Sequence, residues 1–318
     1  MTSLKPADGR TQALRTFARY VSGHGVELGP GHVPFPLPYP ATTTAYVDRW
    51  KPDENRELFP ELDGDAGFPM PDIVADLNVD RLSMLDDESQ DFVVASHVLE
   101  HLANPLGHLS EIHRVLRPGG IALVLLPDRR LTFDRFRQPT SLDHLIAEHA
   151  ADARAVDDAH LEEFLRGSGD WSDSWDEAER AAQFDRHRQR SIHVHCWTQE
   201  EFLPVLVYAV TDLGLSFELL DAMFHDDYPG SIEFGFVLRR SVGKSDAEAL
   251  GKRLDEVWHE LAHEHASIRQ LHTYEKAQAD LDRIVQHPAF RAALLAKHTL
   301  DRLRRRIANL RSSRSGAR

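Results

Sequence analysis

Val26-Glu27-Leu28-Gly29-Pro30-Gly31 decides the fold, because an apolar run ends there in two closely spaced glycines. Glycines at this spacing make a tight turn and let the main chain approach a ligand. Four further apolar runs follow, and acidic residues close the first two of them. They are residues 45–47 before Asp48, 73–75 before Asp76, 91–96, and 121–126 after Arg117-Pro118-Gly119-Gly120. Short strands separated in this way predict an α/β fold.

A dinucleotide-binding turn is the main alternative for these glycines, and the sequence argues against it. A dinucleotide fingerprint needs a third glycine and a helix whose N-terminus faces the pyrophosphate. The third position is Val33, and prolines stand at positions 30, 34, 36, 38 and 40. Proline lacks an amide donor and disfavours helix at the residue before it. We therefore expect no normal helix after the turn and no phosphate site.

The series as a whole resembles class I S-adenosylmethionine-dependent methyltransferases. Residues 98–120 match the pattern VLEHLxxPxxxLxExxRVLxPGG of a broad group within that class. The resemblance covers roughly residues 20–240, and its motifs lie between residues 24 and 127. It implies a Rossmann-like seven-stranded sheet with helices on both faces and an antiparallel last strand. It also implies S-adenosyl-L-methionine as the cofactor.

The resemblance assigns cofactor roles to residues at the ends of the predicted strands. Glu27 holds the glycine turn or receives the cofactor ammonium through water, and the turn itself lies against the methionine portion. Asp48 accepts both ribose hydroxyls, which suits a two-oxygen acceptor. Asp76 and Leu77 contact the adenine of the cofactor. Ser96 and His97 lie under its sulfonium group. The predicted cofactor residues are Glu27, Gly29, Pro30, Gly31, Asp48, Asp76, Leu77, Ser96 and His97.

Composition excludes several classes of protein. At 42% hydrophobic, a chain of 318 residues can bury a full core, and a net charge of -14 argues against a nucleic-acid partner. A single cysteine, Cys196, rules out a disulfide framework and fits a reducing compartment. Residues 1–10 lack a signal-peptide core, and no apolar stretch is long enough to span a bilayer. We expect a cytoplasmic protein without a transmembrane segment.

The chain divides into a predicted methyltransferase domain, residues 1–240, and a C-terminal helical extension, residues 241–318. Residues 136–197 interrupt the domain as an acidic, histidine-rich helical insertion, which we interpret as a cap over the substrate site. The extension ends in a basic tail, with seven arginines between Arg302 and Arg318. Its helices are a candidate surface for homo-oligomer formation. His259-Glu260-Leu261-Ala262-His263 matches a zinc-protease motif, but the further ligand spacing is missing, and we exclude a metalloprotease.

Methyl transfer to a hydroxyl needs positioning and the removal of one proton. Candidate bases lie after the fifth strand and within the cap: Asp128, Asp134, His144, His193 and His195. We expect His144 to be the base, with His195 second. If residues 193–195 are extended, the imidazoles of His193 and His195 point the same way. The two aspartates and the histidines also suit a Mg²⁺ site, although no metal-specific spacing is present.

The acceptor is predicted to be a small molecule or a saccharide. Aromatic side chains that suit stacking on a sugar ring are Trp171, Trp175, Trp197 and Tyr228. Pro127-Asp128-Arg129-Arg130 and His193-Val194-His195-Cys196-Trp197-Thr198 also resemble bacterial methyltransferases of glycan assembly. A sugar or glycan hydroxyl is therefore the leading acceptor. The alternatives are an O-methyltransferase of a small aromatic or polyketide-type metabolite, and a cofactor-binding scaffold without turnover.

Overall fold

The computed structural model describes residues 9–62, 67–224, 231–242 and 252. The chain divides into two units, residues 1–261 and 262–318. The predicted C-terminal extension, with its basic tail and its zinc-protease motif, lies outside the described residues except for positions 241, 242 and 252. The strands are β1 (Gly23–Leu28), β2 (Thr42–Asp48), β3 (Ile73–Val74), β4 (Gln90–Ser96), β5 (Leu116–Pro127), β6 (Phe217–Met223) and β7 (Glu233–Arg240). The α-helices are α1 (Gly9–Ala18), α2 (Pro52–Leu58), α3 (Leu77–Asp80), α4 (Pro105–Val115), α5 (Leu142–Ala150), α6 (Asp158–Ser168), α7 (Glu177–Arg190) and α8 (Gln199–Thr211).

The strands form one seven-stranded sheet in the order β3-β2-β1-β4-β5-β7-β6. All neighbours are parallel except β7, which runs antiparallel to both β5 and β6. The predicted Rossmann-like sheet with its antiparallel last strand is therefore confirmed. Strands β2 and β3 are added on one side of β1, and β4 and β5 are added on its other side. In such sheets the ligand site lies at the carboxyl ends of the strands beside this switch point, between β1 and β4.

The central strands are apolar on both faces because each face is covered. In β4, Phe92 and Val94 enter one hydrophobic cluster, which Phe17 of α1 also joins. Val93 and Ala95 enter the other cluster, together with side chains of α4 and α8. A strand buried on both faces needs a continuous apolar run instead of alternation. This explains why apolar runs in the sequence predicted the central strands of the sheet.

The proline-rich segment between β1 and β2 contains no helix, as its sequence predicts. Instead, Phe35 is buried against the α1 side of the sheet, where a helix would otherwise pack. Its amide donates a hydrogen bond to Glu27 Oε1 at 2.8 Å. The segment is thus held to the sheet by one apolar side chain and one buried carboxylate.

Helix α4 begins as predicted but ends early. Asn104 caps it by accepting a hydrogen bond from the Gly107 amide at 2.7 Å, and Pro105 takes the first helical position. The sequence predicts a helix that starts at Asn104-Pro105 and ends at Gly119. The backbone is already extended at Leu116, which pairs with Gln90 of β4. The Arg-Pro-Gly-Gly run therefore lies within β5 and is not a connecting turn.

Helices α5, α6 and α7 occupy residues 142–190, between β5 and α8, within the stretch that we interpret as a cap. Leu161 and Phe164 of α6 and Phe184 of α7 form a separate buried cluster, which Ile192 and Val194 after α7 complete. Helix α5 packs on the main core through Leu145. The chain then enters α8 through a capping box of Thr198 and Glu201, which the run Thr198-Gln199-Glu200-Glu201 predicts. None of the described helices combines the length and the apolar character needed to cross a bilayer.

Candidate active site

A cavity of about 750 Å³ lies at the carboxyl ends of β1, β2 and β4. Residues 189–193 from the cap segment and Glu233 at the start of β7 complete its wall. The structure brings all nine predicted cofactor residues to this one cavity: Glu27, Gly29, Pro30, Gly31, Asp48, Asp76, Leu77, Ser96 and His97. They come from four separate stretches of the chain, which only the strand order places side by side.

The turn that follows β1 has a backbone conformation that glycine adopts more easily than other residues do. Gly29 and Gly31 have φ values of +54° and +55°, in the left-handed region. The Gly29 amide donates to the Val47 carbonyl at 2.8 Å, which fixes the turn against β2. A methyl group added at Gly31 would meet no described atom within 4 Å. The main chain at Gly31 is therefore open to a ligand.

Glu27 lies at the floor of the cavity with only 1% of its surface exposed. Burial raises the pKa of its carboxyl to about 8, although the Phe35 amide works in the opposite direction. Its second oxygen, Oε2, is buried and accepts no hydrogen bond from a described residue. A buried acceptor without a donor invites a donor from a ligand.

Asp48 and Asp76 stand at the ends of the next two strands in the sheet. Burial raises the pKa of Asp48, opposed by the backbone amides of Trp50, Arg49 and Gly31. Asp76 caps α3 by accepting a hydrogen bond from the Asn78 amide at 2.9 Å, and its other oxygen lies 3.1 Å from Arg49 Nε. Asp76 is therefore held in place by two partners, whereas Asp48 presents a less neutralised carboxylate.

His97 follows β4 with a φ of +56°, which is uncommon for a residue other than glycine. Its Nε2 lies 3.2 Å from Glu233 Oε1, and its Nδ1 lies 3.5 Å from Glu100 Oε1. The side chains of both glutamates are 1% exposed. Burial raises the pKa of Glu100, and the neighbouring His97 opposes that effect. Two buried carboxylates thus flank the imidazole at the cavity wall.

Sequence reasoning gave no role to Glu100 or Glu233. Glu100 stands inside the Val98–Leu102 motif, so the motif itself was the signal that pointed to it. Glu233 begins β7, far along the chain, and only the pairing of β7 with β5 brings it beside His97. No local pattern could have identified it.

Of the five candidate bases, His193 is the one that lines the cavity. Its Nδ1 lies 2.6 Å from Asp134 Oδ2. Burial works to raise the pKa of Asp134, but hydrogen bonds and charges from His193 and Arg137 outweigh it and hold that pKa below its usual value. An ionised carboxylate can only accept, so Nδ1 donates and the proton on that nitrogen is fixed. We call this pair the His193–Asp134 dyad.

Like Asp134, the other three candidates do not line the cavity. Asp128 is completely buried, and the Arg130 guanidinium donates to both its oxygens, at 2.9 and 2.6 Å. His195 is also completely buried, and burial followed by the charges of His160, His144 and Arg137 lowers its pKa well below its usual value. His144, which belongs to α5, lies beside His195, with 5.8 Å between the ring centroids. This geometry gives no support to His144 or His195 as the base.

The expected common orientation of His193 and His195 is wrong. Residues 192–196 form no strand, and the chain bends at Val194. His193 therefore faces Asp134 and His101, whereas His195 faces Glu148 on α5. A period of two applies only to extended backbone, and the bend breaks it.

The tryptophans predicted to stack on a sugar lie elsewhere. Trp197 is 1% exposed in the main core, and its indole donates to the Thr140 carbonyl at 3.1 Å. Trp171 and Trp175 pack on the cluster of α6 and α7 and do not line the cavity. Tyr228 lies outside the described residues. The aromatic rings that do line the cavity are Trp50, Phe59, Phe68, Phe133 and Phe164.

The predicted Mg²⁺ site does not take shape around the aspartates. Asp128 and Asp134 are each paired with an arginine, at 2.6 and 2.7 Å. Across the described ranges, two groups of close potential ligand side chains occur, and neither includes Asp128 or Asp134. An arginine-neutralised carboxylate is a poor ligand for a hard cation, because the guanidinium already occupies its oxygens.

Comparison with known proteins gives one family match. The model of the family described as a methyltransferase domain matches residues 55–124. That range holds β3, β4 and α4, with the Asp76–Leu77 and Ser96–His97 positions. No curated protein sequence matches the chain.

Solved structures with a similar arrangement are distant from this chain. A CurJ carbon methyltransferase is 15% identical over 76% of this chain, with a TM-score of 0.34, and this chain spans about half (51%) of its length. A SAM-dependent methyltransferase from Aquifex aeolicus is 12% identical over 72% of this chain and 88% of its own, with a TM-score of 0.36. The PH0226 protein from Pyrococcus horikoshii OT3 is 17% identical over 73% and 88%, with a TM-score of 0.38.

Proposed function

We propose that this chain is an S-adenosylmethionine-dependent methyltransferase that methylates a hydroxyl oxygen of a small acceptor, with His193 as the general base. The observation that carries the proposal is the His193–Asp134 dyad at the wall of the cavity that also holds the cofactor residues. An alcohol has a high pKa and needs a base close by, whereas an amine or a thiol needs less help. A histidine oriented by a carboxylate is suited to a hydroxyl acceptor.

The residues present fit the cofactor. The unpartnered Oε2 of Glu27 is an acceptor for the cofactor ammonium, directly or through water. The open space at Gly31 accommodates the methionine portion, and Asp48 offers two oxygens to the ribose hydroxyls. Asp76 and Leu77 are placed for the adenine, and Ser96 and His97 for the sulfonium. When bound, S-adenosylmethionine supplies an electrophilic methyl group on a positively charged sulfur.

The His193–Asp134 dyad is arranged to take one proton. Since Nδ1 donates to Asp134, Nε2 is the ring nitrogen left to accept the proton of the acceptor hydroxyl. The Asp134 carboxylate then stabilises the imidazolium that forms. Arg137 Nη1 donates to Asp134 Oδ1 at 2.7 Å and to the His193 carbonyl at 2.7 Å, so it holds both members. The base is thereby positioned before the acceptor binds.

The surface beside His193 is apolar and aromatic. The Phe133 ring lies 4.6 Å from the His193 ring and 5.7 Å from that of Phe164, measured between centroids. Phe133 is 48% exposed and Ile232 41% exposed, so both offer apolar surface to a ligand. A flat acceptor with an apolar face would bury this surface. We therefore place a small aromatic or polyketide-type hydroxyl first.

A saccharide hydroxyl is the second candidate, and one observation favours it. Phe133 and His193 lie in or beside the two stretches that resemble methyltransferases of glycan assembly, and both line the cavity. A sugar ring also has an apolar face that stacks on an aromatic side chain. The tryptophans first assigned to this role do not line the cavity, which lowers the saccharide to second place.

The test is methyl transfer by the full chain to a panel of phenolic and saccharide acceptors, followed as S-adenosylhomocysteine formed. On the acceptor that responds, His193→Gln should lower turnover by about 10²–10⁴-fold and leave adenosylhomocysteine affinity unchanged. The acidic limb of the pH–rate profile should also disappear. His24→Gln, at an exposed histidine on the opposite end of β1, is the matched control and should keep both values.

Three outcomes would overturn the proposal. Near-normal turnover in His193→Gln would place the base elsewhere. Tight cofactor binding without turnover on any member of the panel would identify the chain as a cofactor-binding scaffold. Loss of cofactor binding in His193→Gln would instead show that this histidine acts on the cofactor.

A further inference from the structure

We infer that the cap carries a zinc-type metal site formed by His144, Glu148, His160 and His195. We call these four residues the cap cluster. One ligand atom from each lies within 4.8 Å of all the others. The site is separate from the cavity, because none of the four residues lines it. It therefore does not depend on the proposed acceptor or base.

Three of the ligand atoms already form one face of a tetrahedron. His144 Nε2 and His160 Nε2 are 3.0 Å apart, and Glu148 Oε1 lies 3.2 and 3.1 Å from them. Zinc binds nitrogen and oxygen ligands at about 2.0–2.1 Å, which places tetrahedral ligands roughly 3.3 Å apart. The observed triangle is close to that size. A small inward shift of the His195 ring would supply the fourth ligand.

Asp157 orients one of the proposed ligands from outside the cluster. Its Oδ1 lies 2.8 Å from His160 Nδ1 and accepts the proton of that nitrogen, which leaves Nε2 directed at Glu148 Oε1 and His144 Nε2. With a metal ion between these atoms, the Nε2 lone pair would coordinate the ion. Carboxylates that orient a histidine in this way are the usual outer partners of metal sites.

A second observation also points to a bound cation. The His195 side chain is 0% exposed, and its Nε2 lies 3.3 Å from Glu148 Oε2. Within the described ranges, neither of these buried atoms makes a hydrogen bond of acceptable geometry. Buried polar atoms without a partner are rare, and an absent ion is one of the recognised reasons for them. Both atoms belong to the same cluster.

The ligand types favour zinc over magnesium. Three imidazoles and one carboxylate suit zinc or a similar first-row ion, whereas Mg²⁺ prefers oxygen ligands and retained water. Four protein ligands without an open position are typical of a structural site. Here the site would join α5, α6 and the segment after α7. The His195 amide also donates to the Glu100 carbonyl at 3.0 Å, which links the site to the loop after β4.

The test begins with the full chain, stripped of metal by a strong chelator and titrated with Zn²⁺, Co²⁺ or Mg²⁺. We expect one equivalent of Zn²⁺ to bind, Co²⁺ to give the visible absorption of a tetrahedral site, and Mg²⁺ not to compete. Zn²⁺ should also raise the thermal midpoint of the stripped protein. Absence of tetrahedral Co²⁺ absorption in the wild-type chain, or equal binding of Mg²⁺, would overturn the proposal.

Variants separate this site from adventitious binding. Glu148→Gln should weaken Zn²⁺ affinity by more than about 100-fold, and Asp157→Asn, at the outer partner, by about 10–100-fold. His24→Gln should leave Zn²⁺ affinity unchanged. Because Asp157 touches no metal in this arrangement, its effect keeps the test informative even if Glu148→Gln does not fold. Unchanged Zn²⁺ affinity in Asp157→Asn and in any folded Glu148→Gln would refute the assignment.

Discussion

Glu27 is a buried carboxyl whose ionisation should weaken folding, and Glu27→Gln should remove that effect. The glutamine carbonyl can accept the hydrogen bond from the Phe35 amide that Glu27 Oε1 now accepts at 2.8 Å. The side chain keeps its shape and loses its charge. Wild type and variant should therefore have similar stability in acid and diverge as the pH rises.

The size of the divergence follows from the pKa of Glu27, which is about 8 in the folded protein against an ordinary value of 4.5. Between these values the folded state binds the proton more tightly, so the stability from this group is complete below pH 4.5 and falls until pH 8. Each pH unit in that window weakens folding by about 1.4 kcal/mol. The full loss is about 5 kcal/mol, of which about 3 kcal/mol is reached at pH 7.

Urea unfolding of both proteins from pH 5 to pH 8, without cofactor, measures this difference. The unfolding free energy of Glu27→Gln should exceed that of the wild type by about 3 kcal/mol at pH 7, and the gap should narrow towards pH 5. Glu57→Gln, at an exposed position on α2, is the matched control and should follow the wild-type curve. A constant gap between Glu27→Gln and wild type across this pH range would refute the reasoning.

Two further substitutions test the cofactor site and the support of the base. Asp48→Ala should weaken adenosylhomocysteine binding at least tenfold, since losing a charged two-oxygen acceptor costs about 1.5–3 kcal/mol. Calorimetry on the folded variant measures this affinity. An unchanged affinity would show that Asp48 does not bind the ribose. Arg137→Ala should lower the unfolding free energy by about 3–5 kcal/mol, because it leaves Asp134 buried without its cation. The exposed Arg135→Ala should stay within about 0.5 kcal/mol of wild type, and similar unfolding curves for the two arginine variants would contradict the buried-pair account.

The sequence alone determined the central strands of the sheet and the edge at which the predicted cofactor residues gather. Strands β4 and β5 contain continuous apolar runs because both faces of the central sheet are buried, and such runs are visible locally. The helix starts at Asn104 and Thr198 could be predicted from the sequence, because a capping side chain accepts a hydrogen bond from a backbone amide only two or three residues away. The absence of a helix after Gly31 followed from proline chemistry in the same way. These features depend on neighbours in the chain.

Tertiary structure decided which polar residues meet. Residues 128, 134, 144, 193 and 195 were all candidate bases in the sequence, with His144 ranked first. Only the packing of the cap segment places His193 at the cavity with Asp134. Glu233 reaches His97 through the pairing of β7 with β5. The i, i+4 spacing of His144 and Glu148 was visible on one helix, but His160 and His195 join them from two other segments. Contacts between segments distant in sequence leave no periodic trace, because each contact needs only one residue from each segment.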